Sequence, residues 1–247
     1  MAETLFDLPL EGPPLPLPEA TPAPFSAPAI SEVLLSLSRS LNPRWRQCYG
    51  PPAPAAAPDR EHGALRLGIM TAELFFAAYA RDNGQAGQQL SDAAAVEKLL
   101  GISEQTKPRH LLLQALGESG EWDAFRRSVE ALTEEQRLAL ESQRDTDLAR
   151  LIPVASWLRV LEVEATLLAS ASAPTLDPVG LHPLIVDWLL QELSDLDPSV
   201  RENRSVTRCL QLCERLARLL QHPTTEAGRR EKLADALQTA LARLHTP

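Results

Sequence analysis

Aromatic residues are scarce in this 247-residue chain, at 4%, and no stretch alternates Val, Ile, Thr or aromatic side chains with polar ones between turn signals. Strands need such residues on a pleated, half-buried surface, so a β-rich architecture is excluded. Cysteine is nearly absent too. Three cysteines do not make a disulfide framework, and an odd number leaves one over. Cys209 and Cys213 stand four apart, a spacing that suits packing on one helix face better than a bridge, and a reducing compartment is the simpler reading. There is no GxGxxG, no Walker loop, no G-x-S-x-G, no HExxH and no CxxC, which removes the common sequence signs of nucleotide, hydrolase and zinc chemistry. No cofactor is called for. No run reaches the roughly 18 uncharged apolar residues of a membrane span, and Glu3 and Asp7 stand where an export signal would be basic. The chain as written is expected to be cytoplasmic, with export to a periplasm as the alternative if a signal segment is missing.

Positive charge is also in short supply. The formal net charge is −9 and the pI about 5.1, which argues against a general nucleic-acid binder, because phosphate affinity comes mainly from clustered Lys and Arg.

Hydrophobic residues make up 44% of the chain, and Leu and Ala dominate them. This composition predicts an all-α fold, a multi-helix bundle of about eight or nine helices behind a disordered Pro-rich N-terminal segment. Of the 21 prolines, most fall before residue 59. The expected organisation is a tail over 1–28, a short helix and linker over 29–58, and a bundle over 59–247, divisible at the 172–178 loop. Within 29–58, Ile30, Leu34, Leu37 and Leu41 recur at helical spacing until Pro43 stops them.

Two segments, 61–82 and 146–170, are apolar on nearly every face and belong at the centre of a bundle. Pro153 is expected to kink the second or to move its start. Weaker helices are predicted over 90–100 and 108–116, with Pro108 in a first turn. Thr133 and Gln136 have the spacing of a capping box, dividing or bending the segment 121–144. Further helices are predicted over 181–193, 198–220 and 225–244.

Several residues carry potential chemistry. Arg66 and Glu73 share a face of the first central helix, and Arg159 and Glu162 share one of the second, next to Trp157. Buried charges demand partners, so these form an ion-pair network if the faces meet, or a polar site able to support acid/base chemistry. In the network reading Trp157 is core. Cys209 and Cys213 are either core or, with His222, metal ligands; core packing is the ordinary fate of free cysteine. Arg201, Arg204, Arg208, Arg215 and Arg218 form a basic stripe on the 198–220 helix, either a solvated face or a surface for an acidic partner. In the tail, Leu5-Phe6-Asp7-Leu8-Pro9-Leu10 resembles the hydrophobic peptide with which bacterial proteins bind the replication sliding clamp, with Leu5 in place of the usual Gln. Phe6, Leu8 and Leu10 would be its anchors, or would staple the tail onto the chain's own bundle. The Pro13–Pro18 stretch has P-x-x-P spacing and otherwise serves as a spacer.

Gly68, Ala72, Phe76 and Asp82, then Gly120-Glu121-Trp122, then Leu151, Trp157, Leu158, Arg159 and Glu162 give residues 62–168 a pattern that resembles an uncharacterised family of bacterial all-helical proteins. Members of that family often look exported. The resemblance implies no activity. Function is therefore expected in a non-enzymatic helical protein working through protein–protein contacts, as scaffold or adaptor, using the tail or the Arg201–Arg218 stripe. The alternative is a ligand-binding or enzymatic bundle with its polar site between the two central helices.

Overall fold

The computed structural model describes residues 25, 27–51, 57–170, 181–221 and 226–245. Among them are ten α-helices, one 3-10 turn and no strand. Phe6, Leu8, Leu10 and nearly all of the proline-rich tail lie outside the described residues, as do His222 and the 171–178 loop.

The first helix, α1 (Ile30–Leu41), buries Val33, Leu34 and Leu37 and ends at Asn42 in the left-handed region, one residue before Pro43. A 3-10 turn (Trp45–Cys48) follows. Then come the two helices on which the rest is built, α2 (Arg60–Ala80) and α6 (Thr146–Ser170). Asp59 caps α2, its carboxylate accepting from the His62 N–H at 2.7 Å. Both helices are buried on almost every face, and Leu74, Phe75 and Leu158 lie in the core.

They run parallel, in step. Arg60 meets Asp145 at 2.6 Å at one end, and Glu73 meets Arg159 further along. Between these contacts the backbones nearly touch at Gly68. A Cβ there would stand 2.1 Å from the Ile152 carbonyl oxygen, and the Ser156 hydroxyl donates to the Gly68 carbonyl at 2.8 Å. Pro153 stays inside α6. It forgoes a hydrogen bond to the Ala149 carbonyl, a loss the surrounding apolar contacts outweigh.

Three helices return antiparallel to one another between the central pair. α3 (Asn83–Leu100) starts a full turn and more before the expected residue 90, because Asp82 caps it by accepting from the Gln85 N–H at 3.2 Å. α4 (Ser103–Ser119) also begins early and takes exposed Pro108 within it. α5 (Trp122–Ser142) is one continuous helix. The capping-box expectation fails there: Thr133 donates to the Val129 carbonyl and Gln136 points into the core, so neither side chain meets a helix start.

The remaining helices are α7 (Pro183–Ser194), α8 (Pro198–Arg201), α9 (Arg204–Gln221) and α10 (Glu226–His245). The helix expected over 198–220 is thus two, parted at Glu202–Asn203, where Asn203 caps α9 by accepting from the Ser205 N–H at 2.9 Å. This extra break, with continuous α5, accounts for ten helices where about eight or nine were expected. α10 packs along α6, and the buried residues form one continuous core from Val33 to Leu241. Among the described helices α2 is long and apolar enough, by length and composition, to cross a membrane, but its apolar faces are covered by other helices.

The Gly68 contact is testable. Gly68→Ala should cost about 1–3 kcal/mol in urea unfolding, because the backbone opposite cannot retreat. Gly87→Ala, at an exposed helical position with nothing within 4 Å of the new Cβ, should gain about 0.5–1 kcal/mol. Equal effects at both positions would mean that the helices do not meet at Gly68.

Candidate functional site

Arg159, buried on α6, meets carboxylates from two helices at once. Its Nε donates to Glu73 Oε1 at 2.8 Å and its Nη1 to Glu162 Oε2 at 2.6 Å. Nη2 stands 2.7 Å from Glu73 Oε1 and also donates to the Cys48 carbonyl. Glu73 Oε1 accepts in addition from the Gly50 N–H at 3.0 Å. The charges expected to share a network therefore do, except one: Arg66 is two turns from Glu73 and faces other neighbours.

This cluster fastens a strap. Residues 45–51 cross the central helices, held at one end by Trp45, which stacks on Tyr79 at 4.9 Å and lies 6.0 Å from Phe76, and at the other by the Cys48 carbonyl and Gly50 N–H. Phe76 also lies under the Arg159 guanidinium, 5.3 Å from centroid to Cζ. Gly50 eases the approach, since a Cβ there would sit 3.1 Å from Glu73 Oε1, tighter than ordinary contact. Burial works against the Arg159 charge, but Glu73 and Glu162 outweigh it and hold the guanidinium protonated; burial pushes the Glu73 carboxyl up while Arg159 pulls it back. Burial likewise pushes the Cys48 thiol up to about 11.

Beside the clasp lies a cavity of about 440 Å³. Arg159 and Glu162 form part of its wall, with Tyr49 and Pro51 of the strap, Val163 and Leu167 of α6, and Leu241 of α10. Trp157 faces elsewhere, edge-on to Trp188 of α7 at 6.4 Å, within the core.

Cys209 and Cys213 are buried on α9, and burial pushes the Cys209 thiol up to about 12. Among the described residues no group of three or more His, Cys, Asp or Glu could hold a metal ion. The arginine stripe divides. Arg201 sits on α8 and donates to the Ser194 carbonyl, Arg208 is half-buried, and Arg204, Arg215 and Arg218 are exposed on α9.

One buried cluster has no counterpart in the sequence reading. Glu97 of α3, 1% exposed, accepts from Thr106 of α4 at 2.7 Å and from Gln136 of α5 at 2.7 Å, and meets His110 Nε2 at 2.9 Å. It ties three helices through one carboxylate. No local motif announces it, because its members come from separate helices.

No family profile, no curated protein and no solved structure matches the chain. Gly68, Ala72, Phe76, Leu151, Leu158 and Arg159, which carry the family resemblance, all lie buried in or beside the α2–α6 contact.

Removing one partner of the clasp strands the other in low dielectric. Arg159→Met should cost about 3–5 kcal/mol, and Arg159→Met with Glu73→Leu should cost less than the two single changes added. Release of the strap has its own signature: iodoacetamide labelling of Cys48 at pH 8 should speed up at least about tenfold in Arg159→Met, because a thiol at about 11 is mostly protonated and shielded in the wild type. Unchanged labelling would mean that the clasp does not hold the strap.

Proposed function

We propose that this chain is a non-catalytic helical binding protein acting through contacts with another protein, as scaffold or adaptor. The groups best suited to chemistry support this by being engaged with one another. Glu73, Arg159 and Glu162 fasten the strap, Glu97 and His110 join three helices, and Cys209 and Cys213 fill core positions. The observation that carries the reading is the outward face of the α4–α5 hairpin. Leu111 and Leu112 are adjacent on α4 and 60% and 43% exposed, and Leu138 on α5 is 51% exposed. Helical spacing puts Leu112 and Leu138 on either side of the Arg109–Glu135 ion pair. Contiguous exposed apolar side chains are a feature of contact surfaces. The partner that fits is an amphipathic helix laying its apolar face along the leucines, its polar rim meeting Arg109 and Glu135.

A second reading is favoured by the cavity beside the clasp, which is large enough for a small amphipathic ligand with a donor for Glu162. A co-purifying small molecule, detected by native mass spectrometry and lost on Val163→Trp, would support it.

Photo-crosslinking in the native host separates the candidate protein surfaces. A benzophenone side chain placed in turn at Phe6, Leu112 and Arg215 should give a discrete adduct from position 112, abolished by Leu111→Glu. An adduct from position 6 or 215 alone would assign the partner to the tail or to the α9 stripe and overturn the leucine-face reading. No adduct from any position would overturn the contact reading altogether.

A further inference from the structure

Arg66 is 4% exposed and His62 is 2% exposed. Among the described residues, Arg66 Nε and Nη1 and His62 Nε2 are buried without a hydrogen-bond partner. A guanidinium hidden from water with two unmatched N–H groups carries a desolvation cost that native structures normally relieve with a counter-charge or an ordered ion. Every other buried charge described above has such relief. The two residues are one helical turn apart on α2 and lie on one face. His62 Nδ1 is 3.0 Å from the Ser205 hydroxyl of α9, and the Arg208 charge lies close enough to act on the same imidazole.

We propose that the junction of α2 and α9 is a binding site for a tetrahedral oxyanion, free phosphate or the phosphate group of a larger ligand. His62 is in the first turn of α2 and Ser205 in the first turn of α9, and the 3.0 Å contact between their side chains brings the two helix starts together. In the tautomer this site requires, the Ser205 hydroxyl donates to Nδ1 and the imidazole proton lies on Nε2, the unmatched atom. Arg66 then offers two donors and His62 one, a set that fits three oxygens of one anion. Two carboxylates stand nearby. Asp59 is engaged with the His62 N–H, and Asp92 acts on Arg66 from α3 without reaching salt-bridge distance. Burial lowers the pKa of His62, opposed by Asp59 and reinforced by Arg66 and Arg208, which keeps the ring a neutral donor near pH 7.

Thermal melting of the full chain in chloride and in phosphate, at matched ionic strength and pH 7, tests the site. The wild type should melt about 5 °C or more higher in saturating phosphate. Glycerol 3-phosphate in a further arm should do the same if the site admits an ester, and only inorganic phosphate should do so if it holds the free ion. Arg66→Met should melt at or above the wild type in chloride, since it removes an unmatched charge, and should show no rise in phosphate. A wild type indifferent to both probes overturns the proposal, as does an Arg66→Met variant that rises as much as the wild type. If that variant does not fold, equilibrium dialysis of the wild type decides: about one phosphate per chain, displaced by sulfate, supports the site, and no retention overturns it.

Discussion

Two helices that are apolar all round must be covered on all sides, and they cannot be covered unless they first approach each other closely. The contact at Gly68 makes this approach. With no Cβ on α2, the Ile152 carbonyl and the Ser156 backbone of α6 come within reach, and the Ser156 hydroxyl bonds across the gap. Once the axes are this near, the rows on either side of the seam become the floor for the other elements. Gly63 receives Leu99 and Val96 of α3, and α10 lies along the far side of α6. A side chain at position 68 would push the axes apart and open every layer built on them.

The same parallel register decides which charges can meet. With Arg60 beside Asp145 at one end, Glu73 falls level with Arg159, and the pair forms without adjustment of either helix. Arg66, two turns earlier, makes no ion pair with α6, and the carboxylate that acts on it is Asp92 of α3. The clasp then supplies what the apolar core cannot: it fixes a segment with little secondary structure. The strap carries only a short 3-10 turn, and its backbone polar groups at Cys48 and Gly50 would be costly to bury unmatched. Arg159 and Glu73 match both. The gain is one of placement more than of stability, since buried ion pairs recover little beyond their own desolvation.

The two central helices were legible because their signal is local: an unbroken apolar run needs no knowledge of neighbours. Charges inside such runs were legible for the same reason, and Glu73, Arg159 and Glu162 do stand together. What escaped detection depends on distant partners. The first turns of α3 contain Gly84 and Gly87, which lower helix propensity, and form under the Asp82 cap and over the buried Ala86. Gln136 has the spacing of a cap residue but serves Glu97, a residue on another helix. The strap's share in the clasp is made of backbone atoms, which leave no trace in residue identity.

Two arrangements of buried charge among the described residues therefore differ in a way that bears on function. Arg159 has a carboxylate or carbonyl for each of its nitrogen atoms, and Glu97 has three donors for its two oxygens. A ligand entering these sites would have to break bonds already made, and the atoms left unmatched beside them, Glu73 Oε2 and Gln136 Oε1, are acceptors. His62 and Arg66 are different: they stand one helical turn apart on α2, each has an unmatched nitrogen, and the Arg66 charge acts on the His62 ring. Two mutually repelling charges or dipoles are not kept apart from water by packing preference alone, since turning either side chain outward would relieve the cost. Their persistence on the inner face of α2 is accounted for when the missing component is an anion that neutralises both at once.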